Sequence, residues 1–140
     1  MLTGMRILVR LLVALLVVVL LAGGLEMVAA ESGEVVVLTT SDDASARRET
    51  RLWIVDDGSH SWLRSGSEQS GWYRQLAARP DVEVRRGDQV LRVRAVAEVG
   101  ARERINGLMR AKYGWADAYI GALFGRDDAI PIRLDPRSAS

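Results

Sequence analysis

The chain has no cysteine, one histidine and a single lysine in 140 residues. Without thiols it forms no disulfide, runs no thiolate catalysis and offers no sulfur ligand to a metal. The lone histidine, His60, stands between Ser59 and Ser61 at the start of an expected strand. One imidazole with no thiolate is a poor donor set for zinc, so no metal site is expected. Charge of one sign is missing too. The 19 basic and 18 acidic residues fall to 17 of each when Arg6, Arg10 and Glu26 go with the first thirty positions. A neutral domain with interspersed charges lacks the basic face that nucleic acid requires. No Ser-His-Asp ordering and no phosphate-cradling Gly-Lys motif stands out.

What the chain has first is a long apolar run. Residues 7–25 are nearly all Leu, Val, Ala and Gly, interrupted by Arg10. As a helix rising about 1.5 Å per residue, this stretch spans about 28 Å, close to a bilayer core. Arg6 and Arg10 lie at its start, whereas Glu26, Glu31 and Glu34 follow it. The positive-inside rule then predicts a single-pass cell-membrane protein with a cytoplasmic N-terminus and its domain outside. The rival reading is a signal peptide, because Val28-Ala29-Ala30 satisfies the small-residue cleavage pattern. Cleavage there would leave a secreted or periplasmic domain. Either way the chain divides into residues 1–30, anchor or signal, and residues 31–140, the domain.

The domain reads as mainly β with short helices. Residues 34–40 form a β-branched apolar run, and 49–55 a second strand ended by Asp56-Asp57-Gly58, a hairpin signal. Residues 60–64 make a third. A short helix begins at Trp72-Tyr73 and is stopped by Pro80. The hairpin at 81–94 sets its own register. With Gly87-Asp88 as a type II′ turn, Val84 faces Leu91 and Val82 faces Val93 on one side. On the other side Glu83 faces Arg92 and Asp81 faces Arg94, the opposite-charge pairing that favours antiparallel strands. That strand is expected to run on through Ala95, Ala97 and Val99. Helical spacing covers 101–113 with Ala101, Ile105, Leu108 and Met109 on one face, and Gly114 separates it from a helix reaching about Phe124. Residues 130–134 read as a closing edge strand that tolerates Pro131. The expectation is six strands and three short helices after the apolar run.

Residues 52–94 carry a more specific pattern. A strand leads into the Gly/Ser-rich loop 64–71, then Gly71-Trp72-Tyr73 with Leu76, then Ala77, Pro80, Val82 and Val84. The order strand, SG-rich loop, G-W-Y-x-x-L, A-x-x-P-x-V-x-V resembles the deazaflavin-dependent nitroreductase and quinone-reductase family, a branch of the flavin-binding split β-barrels. The likeness can be laid over residues 34–136. It implies a six-stranded split β-barrel, and a deazaflavin or FMN as the bound cofactor. It also implies that Ser65, Gly66 and Ser67 contact that cofactor while Trp72 and Tyr73 shape the pocket wall. Arginine forks bind phosphate and carboxylate bidentately, so Arg51 and Arg64 are the expected partners of an anionic cofactor tail. Arg47 and Arg48 belong to the same basic cluster. One departure is plain. Where the family usually shows a G-R-K-[ST]-G turn, this chain has Thr40-Ser41-Asp42-Asp43-Ala44-Ser45-Ala46.

Two functions follow as expectations. The first is a membrane-anchored oxidoreductase passing a hydride to a quinone or nitro-type acceptor, with no acid or base to name. The second is a non-catalytic split-barrel module that holds a small ligand or a partner protein. Split barrels often pair into homodimers, so both a monomer and a homodimer fit the sequence. The Tyr113-Gly114-Trp115 and Tyr119 patch is read as packing, and Arg86-Gly87-Asp88 as a turn rather than an adhesive tripeptide.

Overall fold

The computed structural model describes residues 1–30 and 33–137, with side chains placed for 1–25 and 33–137. Helix α1 (Leu2–Ala30) is followed by seven strands and three shorter helices. The strands are β1 (Val35–Ser41), β2 (Arg47–Trp53), β3 (Val55–Asp56), β4 (Ser61–Ser65), β5 (Asp81–Arg86), β6 (Gln89–Ala97) and β7 (Ile130–Pro136). Helix α2 (Gly71–Ala78) lies between β4 and β5, and α3 (Arg102–Tyr113) and α4 (Trp115–Phe124) lie between β6 and β7. All pairings are antiparallel, in the order β2-β1-β5-β6-β7-β4-β3. The sheet curls until β2 meets β4, giving an open half-barrel. The expected domain start at Glu31 lies outside the described residues.

Both faces of this sheet are covered at its β3–β4 end, whereas the outer face of β5 and β6 carries exposed charges. On β4 the neighbours Trp62 and Leu63 point to opposite sides, and both are buried. Leu63 joins the inner core with Val36, Leu38, Val84, Ile132 and the α2 residues Trp72 and Leu76. Trp62 joins the outer core with Val55, Ile105, Met109 and Tyr113, where α3 lies across β3. Burial on both faces explains why β1 reads as a nearly unbroken apolar run instead of alternating.

The β5–β6 hairpin has the expected register, with Val84 opposite Leu91, Val82 opposite Val93, Glu83 opposite Arg92 and Asp81 opposite Arg94. Gly87 takes φ +57° while Asp88 stays out of the positive region, as a type II′ turn requires. Three expectations are corrected. Strand β6 stops at Ala97, because Val99 enters a 3-10 turn (Val99–Ala101) that starts α3. The sheet has seven strands, not six, because the single strand expected at 49–55 breaks at Ile54. There Tyr113 intervenes: its hydroxyl accepts from Ile54 N–H at 2.9 Å and lies 2.8 Å from the Ile54 carbonyl. A side chain has replaced the strand partner of that residue. Finally, β7 is no edge, since it lies between β6 and β4. Pro131 fits there because its carbonyl accepts from Glu98 N–H, beyond the end of β6. Its nitrogen faces the same side, opposite a Glu98 carbonyl that takes the Ala101 N–H instead, so no acceptor is left unpaired by the proline.

The segment after α1 is tied down by charge. Arg86 bonds both Glu34 and Asp56 at 2.8–2.9 Å, and Lys112 Nζ reaches Glu34 at 2.6 Å. The Arg86 guanidinium draws the Asp56 carboxyl down from 3.8 to about 2. A carboxylate with a depressed folded pKa contributes stability above its unfolded value and loses it as pH falls through the folded one. Asp56 is half exposed, so screening limits this to about 1 kcal/mol at most. Urea midpoints are expected to fall between about pH 4 and about pH 2, with a smaller fall in an Arg86→Met variant. Equal acid sensitivity in the two proteins would show that this pair is not responsible.

Candidate functional site

The curl of the sheet creates a cleft between β2, β4, α3 and α4. It is a cavity of about 170 Å³ lined by Arg51, Leu52, Trp53, Arg64, Gly66, Met109, Ile120 and Arg126. Through Gly66 it adjoins a hollow of about 430 Å³ bounded by Ser67, Phe124, Gly125, Asp127 and Asp128. A side chain at Gly66 would enter open space among the described residues, so this stretch of backbone is accessible to a ligand.

The floor of the cleft is a buried charge cluster. Arg64 pairs with Asp117, each side chain 6 % exposed. Its second nitrogen donates to Asn106 Oδ1 at 3.2 Å. Arg126 also donates to Asp117, at 2.8 Å. Two guanidinium groups thus share one carboxylate, and the cluster keeps one positive charge. Burial pulls the Arg64 guanidinium below its ordinary value, opposed by its bond to Asp117. The Arg126 Nε is buried with no hydrogen-bond partner among the described residues. An unsatisfied cationic donor at the edge of a cavity favours an anion. The wall opposite is aromatic: Trp53 stacks on Tyr113 with centroids 4.3 Å apart and planes 7° from parallel.

Of the residues expected to bind a cofactor, Arg51, Arg64 and Gly66 line this cleft, and Gly66 and Ser67 line the adjoining hollow. Ser65 is fully buried, and its hydroxyl holds the loop through the Ser67 carbonyl at 2.9 Å and Ser70 Oγ at 3.0 Å. Trp72 is buried in the inner core, and Tyr73 packs against that core. Neither is among the residues lining the cleft. Arg47 sits at the far end of β2, paired with Glu83 at 2.9 Å. The turn where the resembling family carries its phosphate grip is occupied internally. Asp42 Oδ1 accepts from the N–H groups of Ala44 and Ala46 at 2.9 and 2.8 Å.

Trp53, Asn106, Asp117 and Arg126 escape a reading of the sequence. Asp117 alone left a signal. It is the one charged residue in the otherwise apolar WADAYIGALF helix, and a carboxylate there needs a cation. His60 lies outside the cleft, 3.6 Å from Asp135, at a separate and larger hollow of about 640 Å³. No cluster of three or more His, Cys, Asp or Glu that could hold a metal occurs among the described residues.

The curled sheet, with Trp72 and Leu76 of α2 packed into its inner core, defines a split β-barrel, and solved structures bear this out at low sequence identity. A protein of Listeria innocua assigned as a pyridoxamine 5'-phosphate oxidase superposes with TM-score 0.55 at 18 % identity, covering 80 % of this chain and 90 % of that one. HutZ, the heme storage protein of Vibrio cholerae, gives 0.60 at 14 %, covering 79 % and 87 %. An F420-H2 dependent reductase, FDR-A, gives 0.55 at 24 %, covering 71 % and 93 %. These likenesses show the fold. By sequence, residues 25–130 match the family described as "Uncharacterized protein conserved in bacteria (DUF2255)", and the chain belongs to it. The match begins where the apolar stretch Leu2–Leu25 ends. No curated protein matches the sequence.

Proposed function

We propose that this domain binds a flavin-type cofactor, deazaflavin or FMN, in the arginine-lined cleft and delivers its hydride to a quinone or nitro-type acceptor. The observation that carries this reading is the convergence of Arg51, Arg64 and Arg126 with the open Gly66 backbone on one cavity. Both cofactors carry an anionic tail, which guanidinium forks match in charge and geometry. Two proteins that share the fold are named as an F420-H2 dependent reductase and a pyridoxamine 5'-phosphate oxidase. When bound, the cofactor supplies the hydride chemistry itself. The chain's own part is to hold the anionic tail with Arg51 and Arg126, keep Arg64 fixed through Asp117, and line the ring's surroundings with Trp53, Met109 and Ile120. All these residues come from one chain, so the reading holds for a monomer and a homodimer alike.

In this proposal α1 is a retained single-pass anchor with the domain outside the cell membrane. Its apolar stretch Leu2–Leu25 is long enough to cross a bilayer, and its side chains are exposed throughout. A signal sequence passes the same test of length and composition.

A second reading is favoured by the Asp42 turn, whose amides are already occupied where a phosphate grip would lie. It is a split-barrel module that binds a ligand without catalysis. Titrating the full chain in detergent with oxidised and reduced deazaflavin, and with FMN, separates the two by tryptophan quenching. The oxidoreductase reading expects saturable binding of one of them, weakened at least about tenfold, or about 1.4 kcal/mol, by Arg51→Gln without loss of stability. Absence of binding to both by a folded protein would leave the non-catalytic module.

A further inference from the structure

Helix α4 carries an apolar surface that the domain leaves uncovered. Trp115, Leu123 and Phe124 are 54 %, 50 % and 69 % exposed. Trp115 stands at the start of α4 and Leu123 and Phe124 at its end, so the helix exposes large apolar side chains at both ends, as at a contact with another surface. Their position beside α1 identifies it. Tyr119 donates from its hydroxyl to the Ala22 carbonyl at 2.9 Å, and the two helices pack together. Ala22 lies three residues, under one helical turn, before the end of the apolar stretch at Leu25. Helix α4 is therefore fastened to α1 at the level where a spanning helix would leave the hydrocarbon. At that depth Trp and Tyr are favoured, and Leu and Phe enter the acyl boundary.

We propose that α4 is a second membrane contact, an interfacial helix lying beside the span with Trp115, Leu123 and Phe124 in the lipid. The inference rests on the reading of α1 as a retained anchor. Phe124 also bounds the hollow that Gly66 shares with the cleft. The hollow then opens at the membrane surface, where a lipid-soluble acceptor would enter without crossing water.

Because the chain has no cysteine, single labels can be placed without background. Nitroxides at Leu123→Cys and Phe124→Cys are compared with Leu16→Cys in α1 and Asp88→Cys at the β5–β6 turn. The full chain is reconstituted in phosphatidylcholine–phosphatidylglycerol vesicles, and relaxation by oxygen and by a water-soluble nickel chelate is measured. The expected oxygen-to-nickel ratio at 123 and 124 is several-fold above that at 88 and below that at 16. A ratio at 123 and 124 equal to that at 88, with 16 deep in lipid, overturns the α4 contact and leaves the anchor standing. A water-exposed label at 16 overturns the anchor and the inference with it. Protection from both reagents with label–label broadening overturns the inference in favour of a second copy on α4.

Discussion

Replacing Asp117 with alanine is expected to destabilise the domain by about 3–5 kcal/mol, because it leaves buried positive charge without a counter-ion. Arg64 and Arg126 both bond this carboxylate, and it is the one acidic group within ion-pair distance of either among the described residues. The Arg64 and Asp117 side chains are each 6 % exposed, so water cannot readily take the carboxylate's place. The size of the loss reflects the stranded charge rather than the worth of the pair. A double variant, Arg64→Met with Asp117→Leu, is therefore expected to recover part of the stability, since it removes both desolvated groups. Asp117→Asn keeps a neutral acceptor and should fall between. Urea unfolding followed by tryptophan fluorescence gives the ordering. A midpoint for Asp117→Ala within error of the parent would mean that the cluster is solvated and the cleft floor open to water.

This cluster also shows where the sequence stops being informative. The β5–β6 hairpin could be read in full because its constraints are local: Gly87 sets the turn, and apolar and charged pairs fix the register within fourteen positions. The α3–α4 boundary could be read because Gly114 has a positive φ at the junction. Three of the eight residues lining the cleft are legible in the same way, since Arg51, Arg64 and Gly66 sit on or beside strands next to a small-residue loop. The rest depends on pairings over long separations. Arg64 meets Asp117 across 53 positions, and the Ile54 backbone meets Tyr113 across 59. No periodicity encodes such meetings. The position of β7 is hidden from the sequence for a related reason. Proline argues for an edge only where a ladder donor is needed, and whether β6 reaches Pro131 is decided by the turn at Val99. Trp72 and Tyr73 look like a pocket motif in sequence, yet one spacing serves equally for a helix that packs into the barrel.

Tyr113→Phe is expected to cost about 1–3 kcal/mol, although it removes a single oxygen. The hydroxyl is the acceptor for Ile54 N–H at 2.9 Å and lies 2.7 Å from the Glu34 carbonyl. The Ile54 carbonyl keeps a second donor in Lys112 Nζ at 2.8 Å, whereas the buried N–H keeps none. The penalty is thus the desolvation of one amide. Burial raises the Tyr113 hydroxyl above its ordinary value, so it remains a neutral donor and acceptor throughout the neutral range. Phenylalanine retains the ring that stacks on Trp53, so the packing is unchanged and the lost oxygen is isolated. Amide exchange at Ile54 should accelerate in the variant while β5 and β6 keep their protection. Unaltered protection at Ile54 would show that another group satisfies the amide. Because Trp53 and Arg51 precede this break and line the cleft, loosening it should also weaken ligand binding there from outside the cavity. The residue that interrupts the second strand thereby sets the position of the cleft's aromatic wall.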